Sequence, residues 1–372
     1  MPMKTGFVFG MLCLAATARG ELAREGLRSA ADYSAGHRGT ALLVIQHGKT
    51  ILDERQNGGP AAMKIYSGTK GFWNAAALAA QQDGLLDLDE RVSATLPEWA
   101  GEGRKSAITL RQLLNFSSGL DPTFSLHGEG FKDRDAVALR APLVGSTGGS
   151  FIYGPAALQV FHEVLKRKLA AARDETPTHY LERRVLRPMG LGSQRYLADR
   201  AGNPLLAAGF TMTAAQWSRM GKFVLRGGID GAAHGSSANP MFSQGFWNNH
   251  LAGSPGAREV DPEDLLYLKW HQQSWSRTCL CHSAPGDLVA CIGSGGQRLY
   301  VIPSLDLIVV RLGFMTKFSD GQFLRLLLGS GRHEASGART GGGESRLVDV
   351  IKARLSLSHC LTRSLVYPSD AS

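Results

Sequence analysis

Two β-rich segments near opposite ends of the chain, with helix-patterned sequence between them, predict a mixed α/β (α+β) domain. Its antiparallel sheet would be assembled from both ends of the chain, with a mostly helical region inserted. The first segment holds Ala41-Leu-Leu-Val-Ile-Gln46 and Thr50-Ile-Leu-Asp-Glu-Arg55, two runs joined across His47-Gly48 and therefore read as a hairpin. The second holds Arg298-Leu-Tyr-Val-Ile302, a turn at Pro303-Ser-Leu-Asp306, and Leu307-Ile-Val-Val-Arg-Leu312, where side chains alternate and β-branch as in strands. Between them, Ala156 to Leu169 and Thr213 to Leu225 carry helical patterning, with Gly/Pro/Ser punctuation at 145–150 and 227–239. The sheet is expected within residues 40–60 and 285–328, and the helical region over about 90–285.

The flanks read differently. Lys4, an apolar run from Phe7 to Ala16 and the small residues Ala16-Thr-Ala18 have the three parts of a secretory signal peptide, which sets residues 1–18 apart and predicts a periplasmic or secreted protein. That run is too short to span a bilayer, so stable membrane insertion after its removal is not expected. Glu21 to Arg38 is a helical lead-in to the domain, which is placed at 19–328. From residue 329 to 372 the chain turns Gly-, Ser- and Arg-rich and reads as a linker and tail, with one further helix at 347–357.

With 43% hydrophobic residues in 372, the chain can bury a sizeable core. Its formal net charge of +9 comes from basic residues interleaved with acids and apolar positions. Such spreading argues for a solvated surface with general attraction to anionic polymers, and against a nucleic-acid-binding module.

Chemistry enters at Ser67-Gly-Thr-Lys70. Residues three apart on a helix share a face, so the Lys70 amine can reach the Ser67 hydroxyl and, once neutral, act as the base that activates it. Phe72, Ala76, Ala79 and Ala80 then recur at helical spacing until Asp83-Gly84 supplies a stop, which puts Ser67 at or just inside a helix N-terminus. Unpaired backbone N–H groups and the dipole there favour developing negative charge. The alanine-rich face predicts a helix buried against a sheet. A Ser-x-x-Lys match alone arises by chance about once in a chain of this size, so its surroundings have to decide.

Those surroundings are Asp83-Gly-Leu-Leu-Asp-Leu-Asp-Glu-Arg-Val-Ser-Ala-Thr-Leu-Pro-Glu-Trp99 and Ile108-Thr-Leu-Arg-Gln-Leu-Leu-Asn-Phe-Ser-Ser-Gly-Leu120. Farther on come Phe151-Ile-Tyr153, the stretch from Tyr180 to Leu191, and Gly293-Ser-Gly-Gly-Gln297 running into Leu307. In this order and spacing the segments resemble the serine β-lactamase-related family, which holds class C β-lactamases, D-Ala-D-Ala carboxypeptidases and many esterases. The resemblance spans roughly 40–313 and implies a β-lactamase/penicillin-binding transpeptidase-like fold, closed by a C-terminal helix for which Gln322 to Leu328 is the candidate.

It also implies a site. Ser67 would be the nucleophile, Lys70 its base, and Tyr153, where the family places the tyrosine of its Tyr-x-Asn motif, the proton relay to the leaving group. Gly295, Gly296 and Gln297 would let backbone approach a substrate, with the amides of Ser67 and Gln297 forming an oxyanion hole. Two departures stand out: Tyr153-Gly154-Pro155 lacks the motif's asparagine, and Ser294-Gly295-Gly296 lacks the cation that often precedes Thr-Gly in the family. Both removed groups would serve carboxylate-bearing substrates. An exported serine hydrolase of ester bonds therefore ranks first, a D-amino-acid peptidase second and weak β-lactam hydrolysis third, with a catalytically impaired binding protein as the reading from another class. The partner would be a small ester or amide, including one derived from cell wall.

No metal or organic cofactor is required. Cys279, Cys281 and Cys291 invite a disulfide between Cys291 and one of the other two, with buried free thiols as the alternative; Cys-x-Cys-His spacing is poor for zinc. The chain has no Gly-x-Ser-x-Gly elbow, Walker loop or dinucleotide fingerprint. His162 is expected to be a helix-surface or satisfied residue, and Trp217, Trp247, Trp270 and Trp275 to be core or pocket walls.

Overall fold

The structure, a computed structural model, describes residues 20–149, 152–226, 281, 284–285 and 288–329. The signal segment, the tail with its 347–357 helix, Trp247, Trp270, Trp275 and Cys279 lie outside the described residues. In chain order the elements are α1 (Arg24–Gly36), β1 (Gly39–Gln46), β2 (Lys49–Arg55), β3 (Ala62–Lys64), α2 (Lys70–Gln82), α3 (Leu110–Leu114), α4 (Arg134–Leu139), α5 (Pro155–Arg173), α6 (Pro177–Leu181), β4 (Thr211–Thr213), α7 (Ala214–Leu225), β5 (Val289–Gly293), β6 (Gln297–Ile302), β7 (Leu307–Gly313) and α8 (Asp320–Leu328).

Five strands form one antiparallel sheet in the order β2-β1-β7-β6-β5. The expected hairpin forms across His47 and Gly48, both at positive φ (50° and 71°), the geometry whose twist matches two antiparallel strands. β1 then pairs with β7, Leu43 opposite Val310 and Ile45 opposite Ile308, so the two ends of the domain meet in mid-sheet. β1 is buried along its whole length because both faces of the sheet are covered, which is why its sequence is nearly continuous in apolar residues.

Alternation sorts those side chains into two cores. Leu43, Ile45, Cys291, Leu299, Ile308 and Val310 face the core shared with α2, α5 and α7. Leu42, Val44, Tyr300, Ile302 and Val309 face the core shared with α1 and α8. The helices on that second side approach closely: a Cβ on Gly26 would stand 2.7 Å from the Leu327 carbonyl.

The disulfide expectation is corrected here. Cys291 is a free, buried thiol. It faces the α2 side of the sheet, whereas Cys281 packs in the α1/α8 core on the other side, so the sheet itself separates them.

The helical expectations resolve into capped elements. Thr213 lies just before α7 and caps it with Gln216 in a reciprocal box, Pro155 opens α5 at the position where its missing N–H costs nothing, and Ser319 caps α8. α2 is buried from Lys70 to Ala80, as its alanines predict.

Candidate active site

Ser67 sits in a 3₁₀ turn, Tyr66–Thr69, that runs directly into α2. Tyr66 immediately before it has φ 47°, a left-handed conformation that is costly for a non-glycine residue and concentrates at functional sites. Gly68 is required by packing: a Cβ there would lie 2.6 Å from the ring of Trp217, which is fully buried beneath the turn.

Two side chains converge on the Ser67 hydroxyl oxygen. The Lys70 Nζ is 2.9 Å from Ser67 Oγ, and the Tyr153 hydroxyl is 2.8 Å from the same atom. Lys70 Nζ also lies 4.8 Å from the centre of the Tyr153 ring. Each partner is held from a different part of the chain. Tyr153 follows Ile152, whose N–H bonds the Phe116 carbonyl, and its ring packs on Phe116 at 5.2 Å. Phe116 belongs to the Asn115-Phe-Ser-Ser-Gly-Leu120 loop, where Asn115 Oδ1 accepts from the Ser117 amide and hydroxyl.

Gly154 allows Tyr153 to be placed there, since a Cβ would collide with Pro122. Pro155 starts α5 and contributes no amide. Lys70 Nζ also donates to the Ala207 carbonyl, 2.7 Å away. The segment carrying it is pinned to the nucleophile turn: Phe210 O accepts from the Ile65 amide, Phe210 N–H donates to Thr69 Oγ1, and β4 pairs with β3 just beyond. A backbone carbonyl can come from any residue type, so no sequence signal marks Ala207.

Burial of Lys70 drives its pKa down from 10.5 to about 7. An ammonium in this position is desolvated, which favours the free amine. Cys291 reaches the same locus, its thiol donating to the Gly68 carbonyl at 3.4 Å, and burial pushes its own pKa up, keeping it protonated.

Gly295, Gly296 and Gln297 lie where β5 turns into β6. Gly295 and Gly296 adopt φ 76° and 80°, which the turn demands and a side chain would strain. The Gln297 side chain is buried and exchanges hydrogen bonds with Gly313 N and O. The residue that abuts the nucleophile turn is Gly293, where a Cβ would collide with the Ile65 carbonyl. His162, in contrast, is buried and satisfied by Asp135 at 2.8 Å, away from Ser67.

The chain matches the family model described as Beta-lactamase over residues 22–313. It belongs to the beta-lactamase family. It is a serine hydrolase of that family, with the family's fold. Among curated proteins it is 23% identical over 296 residues to the 6-aminohexanoate-dimer hydrolase of Paenarthrobacter ureafaciens, covering 73% of this chain and 72% of that one. Among solved structures it resembles EstCE1, described as a hydrolase with promiscuous acyltransferase activity, with TM-score 0.57 and 17% identity, covering 82% of this chain and 97% of that one. A putative 6-aminohexanoate-dimer hydrolase from Bacillus anthracis gives the same TM-score of 0.57 at 16% identity, over 76% of this chain and 75% of its own. At these identities the two structures speak to the fold alone.

Proposed function

We propose that this beta-lactamase-family hydrolase cleaves neutral carboxylic esters through an acyl-enzyme on Ser67. The observation that carries the reading is the convergence of the Lys70 amine and the Tyr153 hydroxyl on Ser67 Oγ, with Lys70 titrating near 7. In the first step Ser67 Oγ bonds to the substrate carbonyl carbon and its proton passes to the neutral Lys70 amine. The carbonyl oxygen, now negative, is held by the Ser67 amide and an amide of the 293–297 turn. Collapse of this adduct breaks the C–O bond to the alcohol, which leaves with a proton relayed through the Tyr153 hydroxyl. Water, activated by the same pair, then attacks the acyl carbon, releases the acid and returns Ser67 to its starting state.

The preference for neutral esters follows from the cations present. Burying a substrate carboxylate is costly without a charged or hydrogen-bonding partner. Ser294 supplies no charge at the turn, and Arg298 beside it is already held by Asp320. Amide cleavage is the second reading, favoured by the printed name of the Paenarthrobacter relative. Export, on the strength of residues 1–18, remains part of the proposal, and N-terminal analysis of secreted material tests it.

A fluorophosphonate probe tests the chemistry. The wild type should be labelled on Ser67, and Ser67→Ala should be unlabelled yet folded. Absence of labelling in the wild type would favour a binding protein that has lost turnover.

A further inference from the structure

The turn from Gly293 to Gln297 is held by two guanidinium groups. Arg298 Nη1 donates to the Gly293 carbonyl at 3.0 Å and to the Gln297 carbonyl at 2.9 Å. Arg311 Nη1 donates to the Gly296 carbonyl at 2.7 Å. Both guanidiniums stack on Phe318, with Cζ 5.8 Å and 4.1 Å from the ring centre. Arg298 is itself locked by Asp320 in a two-pronged pair, Nε to Oδ1 at 2.5 Å and Nη2 to Oδ2 at 3.1 Å, and Asp320 also accepts from the Tyr300 hydroxyl at 2.6 Å. The pair is largely buried, with side chains 12% and 16% exposed, so it is neither a solvent-screened surface contact nor a group open to substrate.

A peptide group is planar and trans, so its C=O and N–H point in opposite directions. Whatever fixes the Gly293 carbonyl therefore fixes the direction of the Ser294 N–H. Gly293 is also the residue that touches the backbone just before Ser67. The glycines widen the conformations open to the turn backbone, and oxyanion stabilisation depends on donors that are already aimed before the charge develops.

We propose that Arg298, locked by Asp320, is a positioning residue that fixes the Gly293–Ser294 peptide plane and so aims the amide of the β5–β6 turn at the oxyanion formed on Ser67. Arg298 touches no reacting atom in this account; it acts through the backbone. The inference rests on the Ser67 acyl-enzyme reading of the preceding subsection.

The test is the second-order rate constant for fluorophosphonate labelling of Ser67, measured beside kcat and KM for p-nitrophenyl acetate. Arg298→Met should lower the labelling rate and kcat together by about 10- to 100-fold, less than complete loss of an oxyanion donor, with KM changed by less than about 2-fold. Arg298→Lys, which retains one donor, should recover part of the loss. Asp320→Asn, close in shape, should reproduce the kcat effect in smaller size, and it decides the matter if Arg298→Met does not fold. Arg187→Ala, which removes an exposed pair with Glu182, should leave both rates unchanged. A folded Arg298→Met or Asp320→Asn that reacts at the wild-type rate overturns the inference while the Ser67 reading stands, as does a variant whose KM rises with kcat intact. A wild type that takes no label overturns the Ser67 reading and this inference with it.

Discussion

Among the described residues, the lysine-bearing clusters around Asp135 and around Ser67 are built on different terms. In the helical region Asp135 is buried between His162 and Lys166, both 2.8 Å from its Oδ2, and Gln159 donates to its other oxygen. Lys166 also pairs with Glu163. Burial there pushes the Asp135 carboxyl up, yet the hydrogen bonds from His162, Lys166 and Gln159 outweigh it and hold the pKa at about 2; the two carboxylates raise Lys166 despite its own desolvation. At the nucleophile turn, Lys70 meets the Ser67 hydroxyl and the Ala207 carbonyl, and burial brings it to about 7. Compensated charge fixes architecture; a desolvated amine brought near neutral pH is suited to the base role proposed for Lys70.

The largest separation between the clusters should appear in rates. Lys70→Met should slow acylation by about 10² to 10⁴, the usual cost of losing a general base, measured as ester turnover per folded molecule. Asp135→Ala should leave turnover per folded molecule near wild type but cost about 3 to 5 kcal/mol of stability, since it removes the buried carboxylate that His162, Lys166 and Gln159 share, read from denaturant unfolding. An Asp135 variant with normal stability and lost activity would break the comparison.

A smaller and sharper difference lies in the pH dependence of stability. Lys70 is lowered from 10.5 to about 7, so between these values the unfolded chain binds the extra proton and stability rises with pH. Asp135 is lowered from 3.8 to about 2, so its contribution is complete above the former and is lost as pH falls through the latter. Unfolding curves of Lys70→Met should be flatter than wild type between pH 7 and 10 and parallel to it in acid. Smallest of all, removing the surface Arg187–Glu182 pair should leave the unfolding midpoint essentially unchanged.

The same contrast explains what could be read in the sequence. Strand alternation in Leu42 to Ile45 and Leu299 to Ile302 is a backbone period and shows directly, and Ser67, Lys70 and Tyr153 are legible because the proposed chemistry rests on side chains. Ala207 and the carbonyls of Gly293 and Gly296 act through the main chain, which carries no residue signature. Cysteines close in sequence suggest a bridge, but the sheet that places Cys291 and Cys281 in different cores is assembled from strands over two hundred residues apart. The commitment of Arg298 to Asp320, 22 positions on, likewise becomes visible only when α8 packs back on the sheet.

The pH profile of wild-type Ser67 labelling by a fluorophosphonate, from pH 5 to 9, tests the central assignment most directly. If the buried Lys70 amine is the base, the rate rises about tenfold per pH unit in acid and levels off with an apparent pKa near 7. A rate independent of pH across that range, or one still rising at its upper end, would contradict it.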